Sequence, residues 1–276
     1  MSVPIVATSN YTLAAGSAFD RIAATYDSLF TETKIGRAQR NAVWRVLRRT
    51  FHPGDRILEL NCGTGKDALF LAKHGVTVHA CDASPAMVET ARERLLSANP
   101  ESSVQFQHIA TEHIKELQYC LPFNGVFSNF SGLNCVDDLP AVAEDLAGMV
   151  HAGAALVLCL STRYCLLEMI YFALQGQWSK TLRRCSGTTI ACVAGQSFVV
   201  QYPTVSQLRR FFAPHFKLRE LRGIGVAIPP SYLEAWAVRH PHLLRALCAV
   251  ERFLSPLPFF RVTGDHVLLC FERVQV

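Results

Sequence analysis

The stretch Ile57-Leu58-Glu59-Leu60-Asn61-Cys62-Gly63-Thr64-Gly65 constrains this chain more than any other. An apolar run containing an acid passes into a loop with two glycines and then into the helical pattern of 65–74. Glycines in that setting let the backbone come close to a ligand at a helix N-terminus. After one further strand, at 76–81, a second acid follows: Asp82 lies 19 residues beyond Gly63, the spacing at which a strand-end carboxylate meets the two hydroxyls of a ribose. Asp82 is common to dinucleotide-binding sheets and does not choose the ligand. Glu59 does discriminate. A carboxylate in the glycine loop's own strand repels a pyrophosphate and suits a ligand carrying an ammonium group. The loop also departs from Gly-x-Gly-x-x-Gly, with Ala68 in the third place, which argues against a nicotinamide dehydrogenase.

From Arg56 onward, short apolar runs alternate with helical patterns, as in a parallel sheet covered by helices. Strands are expected at 56–60, 76–81, 104–108, 124–128, 154–160, 216–226 and 266–271. Helices are expected at 65–74, 84–97 (Ser84 as N-cap and Pro85 at the first position), 137–150 and 203–213. Three segments fall outside the alternation. They are the stretch 1–50 with a helical core at 34–49; 161–203, with a helix at 164–174 and a hairpin turning at Gly195-Gln196; and 229–261, two helical stretches bracketed by prolines. The last two leave the sheet from strand carboxyl ends, where ligands bind in open α/β sheets, so they are expected to roof the crevice.

The 276 residues are 50% apolar, enough for a sizeable core, and exclude a disordered chain. A formal charge of +5 with no long basic run gives no sign of a nucleic-acid arm. Ten cysteines spread along the chain, several in apolar runs such as Cys81, Cys159 and Cys270, read as buried hydrophobes in a reducing cytoplasm rather than disulfides. No spacing suits a zinc site, so no metal is expected. Residues 1–11 lack the pattern of a signal peptide. The greasiest windows, 154–160 and 166–174, are too short and too interrupted to span a membrane, while peripheral contact stays open.

The glycine stretch with Asp82 resembles the first motifs of the class I S-adenosylmethionine-dependent methyltransferases, in particular those acting on small molecules, with Asn61 in place of the first glycine. Phe19-Asp20-x-x-Ala23-x-x-Tyr26-Asp27 is similar to that family's N-terminal helix motif, and Phe123-Asn124-Gly125-Val126-Phe127-Ser128-Asn129 to its fourth-strand motif. The resemblance implies a Rossmann-like α/β fold: a seven-stranded sheet with the last strand antiparallel, helices on both faces and lid insertions after strands 5 and 6. It implies an N-terminal helical lid at 1–50 and a catalytic domain at 51–276 with cap insertions at about 161–203 and 229–261. It further implies S-adenosylmethionine as cofactor and S-adenosylhomocysteine as product. Glu59, Asn61, Gly63 and Gly65 would line the methionine moiety, and Asp82 the ribose. Ala83, Met87, Thr111 and Glu112 would lie by the adenine. Asn129, Phe130 and Tyr26 would lie at the sulfonium end.

Methyl transfer rests largely on positioning and desolvation, and a base is needed only where the acceptor must lose a proton. His266, opening the last strand on the ligand face, is the candidate base, set against a turn histidine satisfied by backbone. Asn134, Arg163 and Glu168 are candidate substrate contacts, set against an N-cap or turn role for Asn134 and a helix-entry ion pair for the other two. Arg183-Arg184 and Arg209-Arg210 read first as solvated surface charge. The expected activity is methylation of a small, largely apolar acceptor at oxygen, or at nitrogen or carbon, by a cytoplasmic monomer or homodimer. A non-methylating cyclase or decarboxylase on the same fold, and an RNA or protein methyltransferase, are the alternatives.

Overall fold

The computed structural model describes residues 11–98, 103–117 and 122–275. The expectation about a signal peptide concerns residues that, Tyr11 apart, lie outside them. Strands β1 (Arg56–Leu60), β2 (Thr77–Asp82), β3 (Val104–His108), β4 (Phe123–Ser128), β5 (Val150–Leu160), β8 (Phe216–Ile224) and β9 (His266–Arg273) form one sheet in the order β3-β2-β1-β4-β5-β9-β8. The first five run parallel, and β9 is antiparallel to both β5 and β8. The last strand is thus antiparallel, as expected, and it lies inside the sheet rather than at its edge. Strands β6 (Thr188–Val193) and β7 (Gln196–Gln201) form a separate hairpin, turning at Ala194-Gly195, one residue earlier than expected, where both residues have positive φ. Strand β5 begins four residues before the apolar run that marks it, and that early part meets β4 across a register shift.

Helices cover both faces. On one, α6 (Leu139–Met149) and α9 (Val205–Phe212) bury Leu146, Leu208 and Phe212 against Leu58, Leu158 and Leu269. On the other, α3 (Lys34–Thr50), α4 (Lys66–Ala72) and α5 (Pro85–Ala98) bury Val43, Leu47, Ala68 and Val88 against Ile57, Val78 and Val157. Of these helices, all but α4, which starts after Gly65, begin where the sequence supplies an acceptor. Ser84 caps α5, its hydroxyl accepting from Met87 N–H at 3.0 Å, Asp138 caps α6, and Thr204 with Gln207 closes a capping box on α9. The N-terminus of α3 has a tertiary cap besides Thr33, because the Glu234 carboxylate accepts from Lys34 and Ile35 N–H at 2.7 and 3.0 Å.

The segments outside the alternation add further helices and the hairpin. Helix α1 (Tyr11–Asp20) lies on the β6–β7 hairpin through Ala15, Ala18 and Phe198. A four-residue helix, α2 (Ala23–Tyr26), runs straight into a π-turn, Asp27–Thr31. Helices α7 (Leu166–Leu174) and α8 (Trp178–Thr181) precede the hairpin, while α10 (Glu234–Arg239) and α11 (Pro241–Leu254) pack against α3 through Ile35, Ala237 and Leu244. Among the described residues no helix is long and apolar enough to cross a membrane. Cys81, Cys159 and Cys270 are buried thiols, pushed well up from their ordinary pKa by that burial.

Candidate active site

A cleft of about 720 Å³, counting its open mouth, lies where β1, β2 and β4 end. Its floor is the glycine loop. Asn61, Gly63 and Gly65 all have left-handed φ, at 55°, 54° and 72°. Asparagine is among the few non-glycine residues that tolerate this region, which is why Asn61 can stand where the family motif has a glycine. Its amide also makes two contacts a glycine lacks, donating to Thr111 Oγ1 at 3.1 Å and accepting from Ser128 Oγ at 3.3 Å. At Gly65 a Cβ would come within 2.7 Å of Phe106 and 2.8 Å of Ala91, so only glycine fits between loop and sheet.

Asp82 ends β2 at the cleft wall. Its Oδ2 accepts from Gly63 N–H at 2.8 Å and its Oδ1 from Ser84 N–H at 2.9 Å. Each oxygen keeps a further acceptor position, the pair a ribose diol needs. Burial raises the Asp82 pKa against these two bonds. Glu59 lies beneath the loop, 1% exposed, with Oε2 lacking any hydrogen-bond partner. Burial first, and then the Asp67 charge, holds its pKa well above the carboxylate range. A buried, unpartnered carboxyl of this kind is costly unless something cationic joins it.

The opposite charge is also present, and the sequence motifs did not mark it. Arg40, from α3, lines the cleft, 6% exposed, with its guanidinium over the Phe130 ring at 4.9 Å. One end is ion-paired to Asp67, while Nε is buried without a partner. Asp67 further accepts from Trp44 Nε1 at 2.6 Å and from Asn129 Nδ2 at 2.9 Å, so one carboxylate locks α3, α4 and the end of β4 together. Arg40 falls in line with Gly36, Val43 and Leu47 on the buried stripe of its helix. A charged residue in an apolar stripe was the signal that could have singled it out.

Phe19, Tyr26 and Phe130 enclose the cleft's mouth along with Ala83, Met87 and Lys66. Tyr26 stands at the junction of α2 and the π-turn, edge-on to Phe19 at 6.1 Å, with its hydroxyl pKa raised by burial. Two acids of the N-terminal motif hold this cover down. Asp20 Oδ1 accepts from Ser84 Oγ at 2.6 Å and Ala86 N–H at 3.1 Å, and Asp27 accepts from Thr64 Oγ1 at 2.7 Å and pairs with Arg94. Phe130 and the following Ser131 have positive φ, 45° and 68°, a strained turn that aims the Phe130 ring between Phe30 and His266.

Of the residues expected at the cofactor, Tyr26, Asn61, Gly63, Asp82, Ala83, Met87, Asn129 and Phe130 line this cleft. Glu59, Gly65, Thr111 and Glu112 stand behind its wall or at its edge. Asn134, Arg163 and Glu168 lie elsewhere. Asn134 is fully buried, donating to the Ser161 and Gln201 carbonyls at 2.8 and 2.5 Å and accepting from Ser161 N–H at 2.9 Å. Arg163 donates to the Tyr202 carbonyl. Glu168 does not pair with Arg163; it takes two bonds each from Arg183 and Arg184, and Arg184 continues to Asp265 at 2.9 Å. Arg184 is therefore buried structure rather than solvated surface charge, and it neutralises the cluster of Cys165, Glu168 and Asp265. His266 is buried beside Phe130, its unpartnered Nδ1 3.6 Å from Asp265 Oδ2. Burial lowers its pKa, Asp265 opposing. Burial pushes Asp265 up, but His266 and Arg184 together bring it down to about 2.

Residues 57–153 match the family model described as a methyltransferase domain. The chain is 32% identical over 150 residues to the demethylmenaquinone methyltransferase of Clavibacter sepedonicus, an alignment covering 51% of this chain and 55% of that one. The chain thus spans about half the length of the curated relatives it matches. Its fold is similar to that of the [4+2]-cyclase SpnF, with a TM-score of 0.64, 14% identity and 98% of each chain covered. It is also similar to an S-adenosylmethionine-dependent methyltransferase from Mesorhizobium loti, with a TM-score of 0.53, 16% identity, 86% of this chain and 98% of that one covered. Residues 57–153 thus match a methyltransferase domain, and the chain has the fold of the class I S-adenosylmethionine-dependent methyltransferases.

Proposed function

We propose that this protein transfers the methyl group of S-adenosylmethionine to a small, largely apolar acceptor, with oxygen first and nitrogen or carbon next as the accepting atom. The observation that carries the reading is the pair of unsatisfied buried groups beside the glycine loop, Glu59 Oε2 and Arg40 Nε. They are close enough to shift each other's ionisation, and together they match the ammonium and carboxylate of an α-amino acid. Asp82 is placed for a ribose diol, and Ala83 and Met87 offer apolar surface to an adenine ring. Bound there, the cofactor would supply a methyl group already activated by sulfonium.

The rest falls to the chain. Phe19, Tyr26 and Phe130 exclude water from the reacting end, which strengthens electrostatic contacts inside. Segment 1–50 and the insertions at about 161–203 and 229–261 serve as its covers, supported by the packing of Phe198 against Phe19 at 5.9 Å. His266, held neutral near pH 7 by burial, is the base for an acceptor that must lose a proton, and Asp265 stabilises the imidazolium that results. The relative named as a demethylmenaquinone methyltransferase favours an apolar ring-bearing acceptor.

Calorimetric titration should show S-adenosylhomocysteine binding at about micromolar affinity, and no heat at millimolar ligand sinks the reading. Incubation with methyl-labelled S-adenosylmethionine and candidate acceptors then separates methyl transfer from sulfonium-assisted cyclisation or decarboxylation, in which the label stays on the cofactor. Steeply salt-dependent retention on RNA would instead favour a nucleic-acid acceptor.

A further inference from the structure

A second cavity, of about 590 Å³ counting its open side, lies between α3, the edge strand β8 and α11. It shares no lining residue with the cleft. Its charged walls are Arg45 and Arg49 from α3, Arg222 from β8, and Arg252 from α11, with Glu251 as the one acid among the lining residues. The Glu251 carboxylate is already consumed. It accepts from four consecutive backbone N–H groups, Gly225 to Ile228, at 2.6–3.2 Å. Glu220, just outside, is shared between Arg49 and Arg222. Among the described residues Arg45 and Arg252 make no ion pair or hydrogen bond, and they repel across the groove: burial, and next the Arg252 charge, lowers the Arg45 pKa.

We propose that this groove is an anion site that takes a phosphate or diphosphate group of a small ligand. Four guanidiniums line one cavity whose lining acid, like Glu220 just outside it, is already committed, and an anion is what relieves their repulsion. All four cations are arginines, whose planar forks pair with phosphate oxygens two at a time. Glu220 holds two of those forks in place beforehand, which reduces the entropy lost on binding. The proposal does not rest on the reading of the cleft.

The test titrates the full-length protein with inorganic phosphate and inorganic pyrophosphate by calorimetry, at ionic strength held constant with sodium chloride. Pyrophosphate is expected to bind more tightly than phosphate. The R45Q/R252Q double variant should weaken pyrophosphate binding by about tenfold or more while leaving S-adenosylhomocysteine affinity unchanged. Should the double variant fail to fold, R252K, which keeps the charge but loses the fork, should still weaken pyrophosphate binding severalfold. Absence of pyrophosphate binding at about 10 mM, or binding undiminished in the variants, would overturn the proposal. Retention on polyglutamate without pyrophosphate binding would assign the groove to an acidic protein segment and overturn it equally.

Discussion

Glu59 shows what burial does to a single carboxyl. With no partner for Oε2 and with Asp67 nearby, its charged form is penalised and its pKa is raised. An ammonium group beside it reverses the penalty, so binding of S-adenosylhomocysteine should lower that pKa and release protons. The expected outcome is a binding enthalpy that varies with the ionisation enthalpy of the buffer, and an affinity that rises with pH through the window in which the free carboxyl titrates. Glu59→Gln should abolish the proton release and weaken binding by about ten- to a hundredfold. An unchanged buffer dependence in the variant would exclude Glu59 as the ammonium partner. Glu59 was legible in the sequence because a carboxylate in a buried strand is anomalous there. Arg40 was not singled out, because one arginine among the five of a basic helix is marked only by the face on which it falls.

Single elements here are held in place by side chains from distant ones. The loop after β8 wraps the carboxylate of Glu251, so that α11 is bound to the sheet through four N–H donors. Gly225, at φ 72°, permits the turn that points them inward. Glu251→Gln puts an NH2 group where two of those N–H groups need an acceptor. It should cost about 2–4 kcal/mol in urea unfolding, read as a lower midpoint at unchanged slope. A cost below about 0.5 kcal/mol would show that the loop satisfies itself otherwise. Helix α5 began where Ser84 announced it, and α6 and α9 begin two residues after the expected starts, at the local caps Asp138 and Thr204. The start of β5 has no such local mark, since its first residues pair with β4 only through an irregularity that no local pattern encodes.

At the scale of the molecule, the insertion between β5 and α9 is joined to the sheet by ion pairs running from Arg183 through Glu168 and Arg184 to Asp265, with Gln39 of α3 at the far end. His266 adjoins this chain of charges and faces Asp265 and Arg184. Its folded pKa lies below the ordinary 6.5, so the unfolded chain binds the proton more readily than the folded one. Its contribution to stability is accordingly intact above pH 6.5 and lost as pH falls through the lowered folded value. Urea midpoints compared between pH 7.5 and 5 should fall more steeply for the wild-type protein than for His266→Gln. Equal slopes would mean that His266 protonates as freely in the fold as outside it. Asp265 acts lower, its share disappearing only as pH drops from 3.8 toward 2.

The sequence by itself determined the order of strands and helices, the glycine loop with Glu59 and Asp82, and the N-terminal motif. These are signals of local periodicity, spacing and backbone conformation that hold wherever the segment is placed. Only the tertiary structure decided which charges meet. Asn134 became a strut between backbone segments, Glu168 paired with Arg183 and Arg184 rather than Arg163, and Arg40 came to face Phe130 and the glycine loop. The free energy of a buried polar group depends on the partner that shares its desolvation, and that partner lies tens to hundreds of residues away in the chain.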